Sequence, residues 1–138
     1  MNKNCITSIT MKKLEDIEQI KFVHWMELKW LQFSATAQAT FAWMYVEWEK
    51  RKSFMQINRN KKLGVRKWIP DIMVFVSEDQ SRYGEAILLF VEMKKISWWK
   101  VSPEQQKWIE SLNQVCNIEA RVCCWCDEAI EFVSEYVK

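Results

Sequence analysis

The chain has 138 residues, 49% of them apolar and 28% charged, with two Gly, two Pro and a net charge of +2. That length can bury a core without disulfide or metal staples, and the composition excludes disorder and low complexity. No apolar run nears the roughly 20 residues of a bilayer span, and Met1 to Lys13 lacks a signal-peptide apolar region. The expectation is one soluble domain over 1–138 in the cytoplasm, with its five cysteines reduced.

In chain order, Leu14, Ile17, Ile20, Phe22, Val23, Leu28 and Leu31 recur at helical spacing, which predicts a helix from Leu14 to Leu31. Glu15 and Gln19 stand one turn apart beside its apolar stripe, where they can face a cleft. A glutamate in a first helical turn is also favoured by the helix dipole alone. His24, the only histidine, falls inside this helix, where packing or exposure is a commoner role than general-base catalysis. Thr40 to Trp48 is rich in aromatic and β-branched residues and suits a strand, while Ala35 to Ala42 suits an extension of the helix; the sequence leaves both open.

The segment from Lys50 to Lys67 carries eight basic residues (Lys50, Arg51, Lys52, Arg59, Lys61, Lys62, Arg66 and Lys67) and no acid. Such a stripe can neutralise phosphates, or it can be a solvated face. It reads as a loop with a helical turn, ended by Pro70. Ile72 to Val76 is continuously apolar, Ala86 to Met93 is apolar until Glu92, and the two, separated by the polar stretch Ser77 to Glu85, read as a β-hairpin. On its second arm Leu88, Phe90, Glu92 and Lys94 share one face and Ile87, Leu89, Val91 and Met93 the other. A strand apolar on both faces belongs inside a covered sheet, with the acid and the lysine emerging at its far end.

Ser102, Pro103 and Gln105 spell a helix start, with serine at N-cap, proline at N1 and the glutamine of a capping box at N3. Trp108, Ile109, Leu112 and Val115 continue its apolar face. Ala120 to Trp125 is strand-like, and Asp127 is placed to cap a last helix through Ala129, Ile130, Val133 and Tyr136. The order α, β, β, β, α, β, α describes an α/β sandwich around a mixed sheet.

Hydrolysis of a phosphodiester needs an activated water and neutralised charge on the phosphate, which a hard divalent ion on one or two carboxylates supplies. Antiparallel pairing of the hairpin brings Asp71 and Glu92 to the same end of the sheet. Lys94 shares the face of Glu92 and can orient the attacking water or stabilise the phosphorane, and the carbonyl of Met93 can be a further metal ligand.

Four stretches, Gly64 to Phe75 (GVRKWIPDIMVF), Leu88 to Lys95 (LLFVEMKK), Val101 to Leu112 (VSPEQQKWIESL) and Asp127 to Tyr136 (DEAIEFVSEY), resemble the virus-type replication-repair nucleases (VRR-NUC) of the PD-(D/E)xK superfamily. A first helix with Glu15 and Gln19 is also similar to that family. The resemblance implies a restriction-endonuclease-like α-β-β-β-α-β core with a central mixed sheet. It also implies a metal site of Asp71 and Glu92, Lys94 as catalytic lysine, Glu15 as an additional acid, and Gln105 near the lysine. By analogy it implies an Mg²⁺- or Mn²⁺-dependent endonuclease of phage or bacterial type that cuts Holliday-junction or other branched DNA as a homodimer. Lys50, Arg51, Lys61, Lys62, Arg66 and Lys67 are the candidate DNA contacts. The chain departs from the family pattern in two places. Trp68 stands where a glycine usually precedes the Pro-Asp pair, and the glycine-containing Pro-Asn loop after the first strand is absent around Met44 to Lys50.

Competing readings stand beside these. Asp71 can simply end a loop, with Glu92 and Lys94 a surface pair worth at most about 1 kcal/mol. Gln105 is already explained by the capping box. Cys123 and Cys126 have zinc-knuckle spacing, but the other Cys and His positions are scattered, and buried free thiols are commoner. Trp98 and Trp99 suit base stacking or a dimer interface. The rival functions are a DNA-binding module that has lost catalysis and a phage protein acting on a protein partner through its tryptophan-rich surface.

Overall fold

The two continuously apolar runs of the chain form neighbouring strands, and the rest of the sheet is built outward from them. A computed structural model describes residues 3–36, 59, 62–63, 69–94 and 100–138, with the side chains of the first helix described from Asp16 onward. The elements are α1 (Lys3–Leu28), β1 (Gln32–Ala35), β2 (Ile72–Val76), β3 (Ile87–Lys94), α2 (Pro103–Leu112), β4 (Ile118–Cys124) and α3 (Trp125–Ser134). Strand order is β1-β2-β3-β4, with β1 antiparallel to β2, β2 antiparallel to β3, and β3 parallel to β4. Parallel neighbours need a crossover, and α2 supplies it. Among the described residues, no helix is long and apolar enough to cross a membrane.

Alternation along the strands divides the sheet into two faces. Ile72, Val74 and Val76 of β2, Ile87, Leu89, Val91 and Met93 of β3 and Cys123 of β4 are buried on one face, together with Phe22 and Met26 of α1 and Ala129, Phe132 and Val133 of α3. Full burial of each large apolar side chain is worth about 1.5–3 kcal/mol, so this layer carries the fold. The opposite face bears Glu92 and Lys94 and is met by α2, whose buried side chains are Gln105 and Ile109. The β2–β3 loop contains Gly84 at φ +71°, a conformation that favours glycine.

The α/β class and the mixed sheet agree with the sequence reading, as does the start of α2, but the first strand is Gln32–Ala35, which that reading did not assign. Ser102 Oγ accepts from the Gln105 amide at 3.2 Å and the Gln105 carboxamide oxygen accepts from the Ser102 amide at 3.3 Å, with Pro103 at the first helical position. Three expectations are corrected. The first helix starts at Lys3, not Leu14, so Glu15 lies well inside it and not in its first turn. Ile17, Ile20 and Leu28 of the expected stripe are exposed, because α1 packs through Phe22 and Met26. Asp127 does not cap the last helix: Cys124 is the N-cap residue, and its amide donates to Glu128 Oε2 at 2.6 Å. The helical alternative for Ala35 to Ala42 fails at Ala35, which is in β1; Thr40 to Trp48 lies outside the described residues.

Candidate active site

Asp71, Glu92, Lys94 and Gln105 meet at one end of the sheet. The β2–β3 register pairs Ile72 with Val91, and one further step sets Asp71 opposite Glu92. Asp71 is tied on both sides: its carbonyl accepts from the Thr36 amide at 2.8 Å, and its Oδ2 accepts from the Met93 amide at 3.0 Å. The half-buried carboxylate is thereby fixed against the backbone of β3.

Glu92 is only 1% exposed, on a face where its neighbours Phe90 and Lys94 are half-buried. Its Oε1 accepts from Gln105 Nε2 at 2.6 Å and lies 2.7 Å from Lys94 Nζ, which also donates to Gln105 Oε1 at 3.3 Å. Gln105 therefore closes the helix cap and clasps the acid-lysine pair with the same carboxamide. Burial pushes the Glu92 carboxyl above its ordinary range, against the opposing pull of Lys94, Gln105 and the nearby Asp71 amide. Lone surface pairs do not behave this way, so the reading of Glu92 and Lys94 as an exposed pair does not describe them.

The second Glu92 oxygen, Oε2, is buried and has no partner in hydrogen-bonding geometry, the Asp71 amide lying near the carboxylate without closing a hydrogen bond to it. An orphaned buried carboxylate oxygen costs free energy unless a cation or a donor meets it. As a hard oxygen donor beside a second carboxylate, it fits a magnesium-like ion. Asp71 and Glu92 can hold such an ion, with the Met93 carbonyl close in the chain. Among the described residues no group of three or more His, Cys, Asp and Glu side chains gathers into a metal cluster.

The Glu15 side chain lies outside the described residues; Gln19, one turn further along α1, is half-buried. Of the basic stripe, Arg59 and Lys62 are described, and both are exposed. Lys50, Arg51, Lys61, Arg66 and Lys67 lie outside the described residues, as do Trp68, Trp98 and Trp99. His24 is exposed on α1, within 3.9 Å of Glu27. Cys116, Cys123, Cys124 and Cys126 are free, and burial, followed by the charge of Glu128, pushes the Cys123 thiol up to about 12.

Sequence reasoning missed Glu18. Its Oε2 accepts from the Cys126 amide at 2.9 Å and its Oε1 from Lys21 Nζ at 2.7 Å, which joins α1 to the first turn of α3. A contact spanning 108 residues leaves no mark in local pattern.

The VRR-NUC domain family model matches residues 15–124, a span that contains all four residues of the cluster. A solved structure described as a VRR_NUC domain protein superposes with a TM-score of 0.58 at 21% identity, covering 89% of this chain and 87% of that one, which is a likeness of fold. A search of curated proteins returns no match.

Proposed function

The chain belongs to the VRR-NUC domain family, and on that premise we propose that it is a metal-dependent DNA endonuclease working as a single domain over 1–138 in the cytoplasm. The observation that carries the proposal is the buried Glu92, with one oxygen held by Lys94 and Gln105 and the other unpartnered, across the sheet register from Asp71.

In this reading Asp71 and Glu92 would hold Mg²⁺ or Mn²⁺, with Glu15 and the Met93 carbonyl as further candidate ligands. When bound, the ion supplies a nucleophilic water near neutral pH and neutralises charge on the phosphate. Asp71 is held for that task by the Met93 amide and Glu92 by Gln105, so neither carboxylate has to reorganise. Lys94 keeps its ammonium 2.7 Å from Glu92 Oε1, and there it would orient the attacking water or stabilise the phosphorane. Lys50, Arg51, Lys61, Lys62, Arg66 and Lys67 neutralise phosphates of the bound strands. Branched DNA, with a Holliday junction as the first candidate, is the proposed substrate. A homodimer follows from chemistry, because resolving a junction takes two symmetric cuts and one small domain offers one site.

Purified protein incubated with four-way-junction and duplex DNA should cut in Mg²⁺ or Mn²⁺ and be silent in EDTA. Asp71→Ala and Glu92→Ala should each lose on the order of a thousandfold in rate, the equivalent of several kcal/mol of transition-state stabilisation. Cleavage by either variant at the wild-type rate would overturn the assignment.

A further inference from the structure

We propose that Trp125 is a substrate-contact residue whose indole stacks on an unpaired base beside the scissile phosphate. The inference rests on the nuclease reading above and narrows the substrate to DNA with a nucleotide outside the helical stack.

Position is the first argument. β4 runs parallel to β3 with Cys124 opposite Lys94, so the two strands end together and Trp125 is the next residue beyond the position facing the lysine. Adjacent strands lie about 4.8 Å apart, which sets the Trp125 backbone at the same end of the sheet as Lys94. The carboxyl ends of neighbouring parallel strands are also where α/β sheets seat their ligands.

Conformation is the second. Trp125 has φ +68°, in the left-handed region that a bulky side chain rarely adopts. The chain passes from strand to this residue and straight into α3. A strained strand-to-helix turn of this kind lifts the nucleophile clear of the sheet in α/β-hydrolases. Here it carries an indole that stays 43% exposed, between a half-buried Cys124 and a Cys126 that is 5% exposed.

Two backbone hydrogen bonds enforce that turn. The Cys124 amide donates to Glu128 Oε2 at 2.6 Å and the Cys126 amide to Glu18 Oε2 at 2.9 Å, while Lys21 holds Glu18. Two carboxylates from two helices therefore pin the backbone on both sides of the tryptophan. A strained residue that its surroundings over-determine, and that still leaves an aromatic ring in solvent, points to binding and not to packing.

The chemistry of the ring selects the ligand. An indole carries no charge to hold a phosphate, but it offers a flat π face that matches a base of any identity. Within a continuous duplex that face is covered by the neighbouring pairs, so the base must be unstacked, as at a branch point, flap or single-stranded gap.

The test needs no cleavage. In EDTA, the wild type should bind a flap DNA carrying 2-aminopurine at its branch point and quench it, and should bind a continuous duplex of the same sequence more weakly. Trp125→Ala should weaken flap binding about tenfold, the loss of one base-aromatic stack, and abolish quenching while duplex affinity stays within about twofold. Trp125→Phe should retain most of the preference. Trp125→Leu, which keeps bulk without a π face, should behave as alanine does, and this pair carries the test if the alanine variant does not fold. Equal loss on both DNAs, no loss on either, or no wild-type preference for the flap would overturn the proposal. So would a shift in oligomeric state of DNA-free Trp125→Ala, which would make the indole a protein contact. The nuclease reading fails on a different result, the absence of metal-dependent cutting by the wild type, which leaves this binding comparison intact.

Discussion

At Gln105 one carboxamide serves three partners: its oxygen accepts from the Ser102 amide and from Lys94, and its nitrogen donates to Glu92. Ser102→Ala removes a helix cap and should cost about 1 kcal/mol while leaving the cleavage rate within a few-fold of wild type. Gln105→Ala also strips Glu92 of a hydrogen bond inside a buried site. It should cost about 1–3 kcal/mol and slow cleavage roughly 10- to 100-fold, as loss of a ligand-orienting partner does. Denaturant titration and single-turnover kinetics on both variants separate the two roles, and equal rates would reduce Gln105 to a capping residue. The capping box was legible because serine, proline and glutamine at fixed offsets are a local signal. The grip on Glu92 was not, since it exists only once α2 lies across the end of β3. The Met93 amide that aims Asp71 was hidden for the same reason: the sequence places both carboxylates at one end of a hairpin, but not the rotamer of either.

The joint between α1 and α3 makes the same point one level up. Hydrogen bonding from Lys21, and then from the Cys126 amide, holds the Glu18 carboxyl below its ordinary value of 4.5. For an acid depressed in the folded state, the stability it contributes is present above the unfolded value and is lost as pH falls through the folded one. Glu18→Gln should therefore unfold at lower denaturant than wild type at pH 7, by about 1 kcal/mol, and the difference should vanish as pH drops below the ordinary carboxylate range. A gap of the same size at pH 3 and pH 7 would show that charge at Glu18 plays no part. Periodicity located α1 but not its buried face, because Ile17, Ile20 and Leu28 stay exposed while Phe22 and Met26 enter the core. β1 escaped notice for a different reason: QFSA is a four-residue strand, at the sheet edge among the described residues, with no run of β-branched side chains to announce it. Asp127 is not the cap because the helix begins earlier, with Cys124 at N-cap, and of the two acids in its first turn it is Glu128 that accepts from the Cys124 amide.

For the whole molecule, the arrangement was legible because its determinants are long and simple. Two apolar runs joined by a polar loop make an antiparallel pair, and a capped helix between two strands makes a parallel one. That frame buries a carboxylate whose Oε2 has no partner and whose pKa burial pushes up, so in the absence of a cation the fold carries an unmet cost at its candidate centre. A divalent ion that binds the folded state alone should relieve this cost by mass action, adding about 2.7 kcal/mol at a hundred times its Kd. At this chain length such a gain raises Tm by about 5–10 °C. Thermal unfolding at neutral pH with Mg²⁺ or Mn²⁺ against EDTA should show that rise in the wild type. Glu92→Gln should abolish it, because a carboxamide keeps the shape of the side chain but removes the charge that holds the ion. Gln105→Ala should reduce it without abolishing it, since the ligand remains but is no longer held in place. A wild-type Tm indifferent to both metals would remove the centre from Asp71 and Glu92. A rise that survives in Glu92→Gln would move it to other carboxylates of the chain.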